Sequence, residues 1–145
     1  MTSKTVLLID DEQGLLEALE DALRHEGYNV LKATTGEDAL VILSNNHVDL
    51  ATVDVMLPPG PSLEGETSSQ RTGLYLCQQI VKLYPNLDLF CLSVVNDPAL
   101  IKEIQSLGVR FLRKGETPLR TVLNMMRSRL TGIAYSSERD GPKGY

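Results

Sequence analysis

The chain has 145 residues, of which 42% are hydrophobic and 23% charged, and this length and composition fit one globular domain with a genuine core and exclude a disordered chain. A formal net charge of −5 argues against direct nucleic-acid binding, which depends on Lys and Arg neutralising phosphates. The first apolar run, 6–9, is too short for a secretion signal or a membrane span, so no membrane attachment is expected and the expected location is cytoplasmic.

In chain order, the run 6–9 predicts a first strand that Asp10 ends. Leu15, Leu16, Leu19, Ala22 and Leu23 then recur at helical spacing, with Gly27 as a C-terminal stop. A second strand is expected at 29–33, a helix at 37–44 with Ala39, Leu40, Ile42 and Leu43 on its apolar side, and a third strand at 50–53. The next segment, 58–72, reads PPGPSLEGETSSQRT and has no helical period. So long a structureless connection is uncommon in a compact domain. With Leu63 as its one apolar anchor, the composition favours disorder over a functional lid.

A helix is expected at 73–84, where Leu74, Cys77, Ile80, Val81 and Tyr84 recur and Pro85 stops it. A fourth strand at 87–92, a helix at 98–107 ended by Gly108, and a fifth strand at 109–112 follow. The last helix is expected to have Thr117 as its cap and Pro118 in its first position, and to run to Leu130. The chain thus reads as one domain over 1–130, with an extended insertion at 58–72 and a flexible tail or linker at 131–145.

Strands alternating with helices predict an α/β fold with a parallel sheet, and near-continuous apolar strands predict helices on both faces, a three-layer doubly wound sandwich. Cys77 and Cys91 lie inside apolar segments without metal-ligand spacing and read as buried free thiols. Charge is sorted along the chain: residues 1–54 carry 3 basic and 11 acidic side chains, residues 97–130 carry 7 basic and 3 acidic.

In such a sheet a ligand binds beyond the carboxyl ends of the strands, at the point where strand order reverses. There the sequence places Asp10, Asp11 and Glu12 after the first strand, Asp54 after the third, Ser93 after the fourth, and Arg113 and Lys114 after the fifth. Crowded carboxylates repel unless protonated, paired or metal-bound. Mg²⁺ is the natural remedy, with Asp11 and Asp54 as direct ligands and Asp10 through water. A carboxylate beside Mg²⁺ can attack a phosphoryl donor and form an aspartyl phosphate, with Ser93 and Lys114 binding the phosphoryl oxygens.

The segments LLIDDE, LATVDVMLP, LFCLSVV and VRFLRKG resemble the four signature segments of response regulator receiver domains, and the resemblance extends over residues 4–130. It implies a flavodoxin-like βα5 sandwich with strand order 2-1-3-4-5. It further implies Mg²⁺-dependent transfer of a phosphoryl group to Asp54 from a sensor histidine kinase or phosphotransfer protein. Such a chain is a signalling switch that catalyses its own phosphorylation and dephosphorylation, and it is not an enzyme acting on a separate substrate. In this family Asp10 and Asp11 would be the metal-binding acid pair, aided by Asp54 and the main-chain carbonyl of Met56. Ser93 would be the switch hydroxyl, Lys114 the amine, and Phe111 the aromatic whose rotamer follows phosphorylation, although a core Phe on a strand reads equally as structure.

The output face toward a downstream protein effector would be the fourth helix, fifth strand and fifth helix, where Arg110, Arg113, Arg120, Arg127 and Arg129 gather. The same face admits a homodimer.

Three features depart from the family pattern. Gly115 stands where a cis Pro usually follows the Lys, Val94 replaces a small residue after the switch hydroxyl and narrows access to Asp54, and the connection after the third strand is longer than usual. Met56 and Val95 flank the path of a hydrolytic water in this family and cannot orient it, which predicts a long-lived phosphoprotein. Met56 also stands where a metal-dependent phosphohydrolase of similar site would need an Asp. A receiver-like module that works by contact alone is the other rival, opposed by the intact acid set and Lys114. No Gly-rich phosphate-binding turn follows the first strand, which disfavours nucleotide binding.

Overall fold

The computed structural model of the chain describes residues 3–133. Five strands, β1 (Thr5–Ile9), β2 (Asn29–Ala33), β3 (Leu50–Val53), β4 (Asp88–Ser93) and β5 (Arg110–Arg113), form one parallel sheet in the order β2-β1-β3-β4-β5. This is the expected order, with β3 in the middle and the direction of strand addition reversing between β1 and β3. The helices α1 (Gln13–His25), α2 (Gly36–Asn45), α3 (Thr72–Leu83), α4 (Pro98–Ser106) and α5 (Leu119–Thr131) make the crossovers.

The period of the strands splits the core into two layers. Leu7 and Ile9 of β1 pack with Ala39, Leu43, Leu74, Cys77, Ile80, Leu100 and Ile104 under α2, α3 and α4. Val6 and Leu8 face the other way, with Leu16, Leu19, Leu23, Val122 and Met126 of α1 and α5. A strand covered on both faces has no use for polar alternation, hence the buried runs of β1 and β3, whereas the edge strands β2 and β5 keep exposed polar positions. Cys77 and Cys91 are free and buried, and a hydrogen bond to Cys77, with burial, holds the Cys91 thiol well above its usual range.

Local chemistry accounts for the helix starts. Thr35 caps α2 by accepting the Asp38 amide at 3.1 Å, and Asp97 caps α4 by accepting from Ala99 and Leu100 ahead of Pro98. The start of α5 differs from expectation. The Glu116 and Thr117 amides both donate to the Arg113 carbonyl in a turn in which Gly115 takes φ +81. Thr117 is thereby used in the turn, Pro118 stays extended (ψ 141), and the helix starts at Leu119 without a side-chain cap. The strands β4 and β5 also begin one residue later than the apolar runs suggest: Leu87 and Val109 pack against the core but precede the ladder.

The insertion is ordered, contrary to the expectation from its composition. The amides of Gly36 and Glu37 donate to the carbonyls of Pro58 and Pro59 at 2.9 and 2.8 Å, and Leu57 N donates to Ser69 O at 3.0 Å. A single 3-10 turn (Pro61–Leu63) buries Leu63. No helix among the described residues is long and apolar enough to cross a membrane. Residue 131 still belongs to α5, and 134–145, most of the expected tail, lie outside the described residues.

Candidate functional site

The parallel ladder continues past the strand ends and gathers the polar residues. Asp10 N donates to Ala33 O, Asp54 N to Ile9 O, and Lys114 N to Ser93 O, at 3.0, 2.9 and 3.0 Å. Each of these residues therefore leaves the sheet at the same level, on the rim where strand order reverses.

At the centre is the Lys114 ammonium, only 10% exposed as a side chain, 2.8 Å from Asp10 Oδ2 and 2.9 Å from Asp54 Oδ2. Glu12 Oε1 lies 3.4 Å away on the solvent side. Burial alone would lower the Lys114 pKa, but hydrogen bonds to Asp10 and Asp54 and their charges more than offset it and hold the ammonium above the usual lysine range. For Asp10 burial prevails: its carboxyl is pushed up by desolvation and by the neighbouring Asp54 charge, against the pull of Lys114 and the Glu12 amide. That amide donates to Asp10 Oδ1 at 2.9 Å, and the Met56 amide reaches Asp54 Oδ1 at 3.4 Å.

Asp10, Asp11 and Asp54 each present a carboxylate oxygen within 4.8 Å of the others. Asp10 and Asp54 are buried, whereas Asp11 is exposed and has no hydrogen-bond partner among the described residues. One ammonium against three carboxylates leaves the cluster anionic, and hard oxygen donors on a half-open rim fit Mg²⁺. Ser93 is fully buried, and its Oγ accepts the Val95 amide at 3.3 Å.

The remaining expected residues fall as follows. Met56 is exposed on the strand-three side, and Phe111 is half-buried against the core layer under α4. Val94 is 63% exposed and lines an apolar groove with Glu12, Leu15, Leu119 and Gly115 beside Lys114. Every described peptide is trans, and Gly115 at φ +81 occupies a conformation that proline, fixed near −65°, cannot adopt.

Three of the arginines are engaged in ion pairs within the fold. Arg127 pairs with Glu26, just past the end of α1, at 2.7 Å, Arg129 pairs with Asp88 at 3.3 Å above the Phe90 ring, and Arg113 points into the connections beside the site.

Gly73 was legible only as the start of a helix, yet a Cβ there would meet Asp54 O at 2.3 Å and Val55 Cα at 2.4 Å. Its lack of a side chain lets α3 rest against the chain at the end of β3, and its amide donates to Val55 O at 2.9 Å. Glu12, next to the acid pair, and Arg113, next to Lys114, are the other residues whose contacts the sequence does not announce.

A model of the response regulator receiver domain matches residues 6–124. The chain belongs to that family, a class of signalling switches. It is 36% identical over 78 residues to the regulatory protein VanR of Enterococcus faecium, covering 54% of this chain and 29% of VanR. It is 33% identical over 99 residues to the probable transcriptional regulator ycf27 of Porphyridium aerugineum, covering 67% of this chain and 37% of that protein. The chain thus spans about a third of the length of these relatives. Among solved structures it resembles a CheY-like receiver domain protein of Methanospirillum hungatei, with TM-score 0.75, 23% identity, and coverage of 97% of this chain and 100% of that one. The non-phosphorylated receiver domain of HemR from Leptospira biflexa gives TM-score 0.73 at 25% identity, over 89% of this chain and 95% of that one.

Proposed function

We propose that this chain is the phosphoacceptor of a two-component phosphorelay and takes a phosphoryl group on Asp54 from a phosphohistidine of a sensor kinase or phosphotransfer protein. The observation that carries this reading is the Lys114 ammonium held by both Asp10 and Asp54, with Asp11 completing an oxygen cluster on the sheet rim.

Asp54 acts as the nucleophile: one carboxylate oxygen attacks phosphorus as the bond to the donor nitrogen breaks. Lys114, already hydrogen-bonded to that carboxylate, is placed to neutralise the charge of the incoming phosphoryl oxygens, and the Ser93 hydroxyl supplies a further donor. Asp10, Asp11, Asp54 and the Met56 carbonyl would hold Mg²⁺, which when bound shields the phosphoryl charge from the carboxylates. The buried position of Asp10 and Asp54 raises the strength of each of these interactions.

Output would pass through α4, β5 and α5, with Phe111 following the state of Ser93, to a downstream protein effector or to a second copy of the chain. The working compartment on this reading is the cytoplasm, where such kinases present their phosphohistidine.

The test is incubation with Mg²⁺ and acetyl phosphate, followed by mass spectrometry. The expected result is one acid-stable, base-labile phosphate on Asp54, absent in Asp54→Asn and in the presence of a chelator. No phosphate, or phosphate on another residue, overturns the reading.

A further inference from the structure

Val95 is held by both of its backbone groups. Its amide donates to Ser93 Oγ at 3.3 Å, and its carbonyl accepts from Arg113 Nη1 at 3.3 Å. The same Arg113 nitrogen donates to Asn96 Oδ1 at 3.1 Å, while Arg113 Nε pairs with Glu116 Oε2 at 3.0 Å. Arg113 lies opposite Ser93 in the β4–β5 register and precedes Lys114. Its side chain therefore ties the connection that leaves the hydroxyl, 94–97, to the connection that leaves the amine, 114–118.

We propose that Arg113 is a positioning residue that keeps the Ser93 hydroxyl in its resting orientation and so sets how easily the switch turns on. This proposal rests on the phosphoacceptor reading of Asp54. To swing toward a phosphoryl group, Ser93 Oγ has to release the Val95 amide, and that peptide then has to rotate to find another partner. The Val95 carbonyl belongs to the next peptide, joined to the rotating one at the Val95 Cα, and with that carbonyl bound to a guanidinium the pivot is held on one side and the rotation is resisted. Charge-assisted hydrogen bonds of this kind are the stronger ones, and the half-buried setting reduces their screening. Arg113 pairs with none of Asp10, Asp11 and Asp54, so its effect falls on the balance of two states and leaves the transfer step itself alone.

The experiment compares the full chain with Arg113→Met and Arg113→Lys in two measurements. In amide hydrogen exchange without ligand, the Met variant is expected to exchange faster at 95–97 by about fivefold, the effect of losing one net hydrogen bond, with Lys between the two. In titration with beryllofluoride and Mg²⁺, the Met variant is expected to reach half-saturation at about fivefold lower concentration. A merely structural role would weaken binding or leave it alone, and tighter binding by a variant that lost contacts separates the two. Unchanged exchange at 95–97 overturns the proposal, and so does faster exchange with unchanged or weaker beryllofluoride binding. A wild-type chain that fails to bind beryllofluoride overturns the phosphoacceptor reading instead, and the exchange comparison then decides Arg113 alone.

Discussion

Two of the connections that leave the carboxyl edge of the sheet are fixed by different means. The one after β5 is held by charge: Lys114 reaches Asp10 and Asp54, and Arg113 reaches Val95, Asn96 and Glu116. The one after β3 is longer and is held by main-chain bonds to Gly36 and Glu37 and by one buried leucine. Charge placed on a common rim is visible in sequence, because the residue types are distinctive and the strand ends are predictable. Backbone bonds to a distant helix leave no mark on composition.

The largest expected effect breaks the charged side of this comparison. In Lys114→Met, Asp10 and Asp54 lose their buried counter-charge, at a cost of about 3–5 kcal/mol at neutral pH. Urea unfolding in chelator should show the loss, and Mg²⁺ should restore part of it. An unchanged midpoint would mean the carboxylates are already neutral in the folded protein.

Next comes the contact between α3 and the chain at the end of β3, where Asp54 lies. The methyl of Gly73→Ala would overlap backbone, which cannot give way as a side chain does, so a loss of about 3 kcal/mol is expected, together with reduced phosphorylation of Asp54. Wild-type stability for this variant would show that α3 can move off this segment without cost.

The third prediction tests the other connection. Leu63→Ala should cost about 2 kcal/mol, at the lower end for a leucine because the site is at the rim of the fold. Exchange should accelerate at Gly36 and Glu37, whose amides bond into the insertion, while Asp54 phosphorylation is retained. Exchange confined to 64–71 would show that the anchor is local.

The smallest effect is a slope. The Asp10 pKa is raised in the folded protein above the ordinary 3.8, so the folded state holds this proton to higher pH than the unfolded chain. Stability from this group therefore falls as pH rises from about 3.8 through the raised value, and Asp10→Asn should flatten the curve across that window. Thermal unfolding from pH 3.5 to pH 7 in chelator measures it, and parallel curves for the two proteins would remove Asp10 as the source.

How much was legible depended on the kind of signal. The five strands, the five helices and the meeting of Asp10, Asp54 and Lys114 followed from apolar period and from polar residues at strand ends. Strand order needed the family resemblance, since periodicity does not say which strands are neighbours. Thr117 misled because a good cap residue is also a good turn residue, and the Gly115 turn claimed it. The partners of the α5 arginines were not legible either: Arg127 turns back to Glu26 and Arg129 to Asp88, residues far away in the sequence. The tie between Arg113 and Val95 joins a side chain to a main-chain carbonyl, and no residue type at position 95 would have advertised it.

The hydrogen bond from Leu57 N to Ser69 O has a practical consequence. It closes the excursion 58–68 at its base, so the sheet and α3 meet this stretch of chain as though it were a single point. Closure entropy grows only as the logarithm of length, about 0.6 kcal/mol for each doubling. Its exposed tip at Gly65, where nothing lies within 4 Å of an added side chain, is then a port: a reporter peptide or binding epitope grafted there would ride outside the domain while β3, Asp54 and Gly73 keep their places.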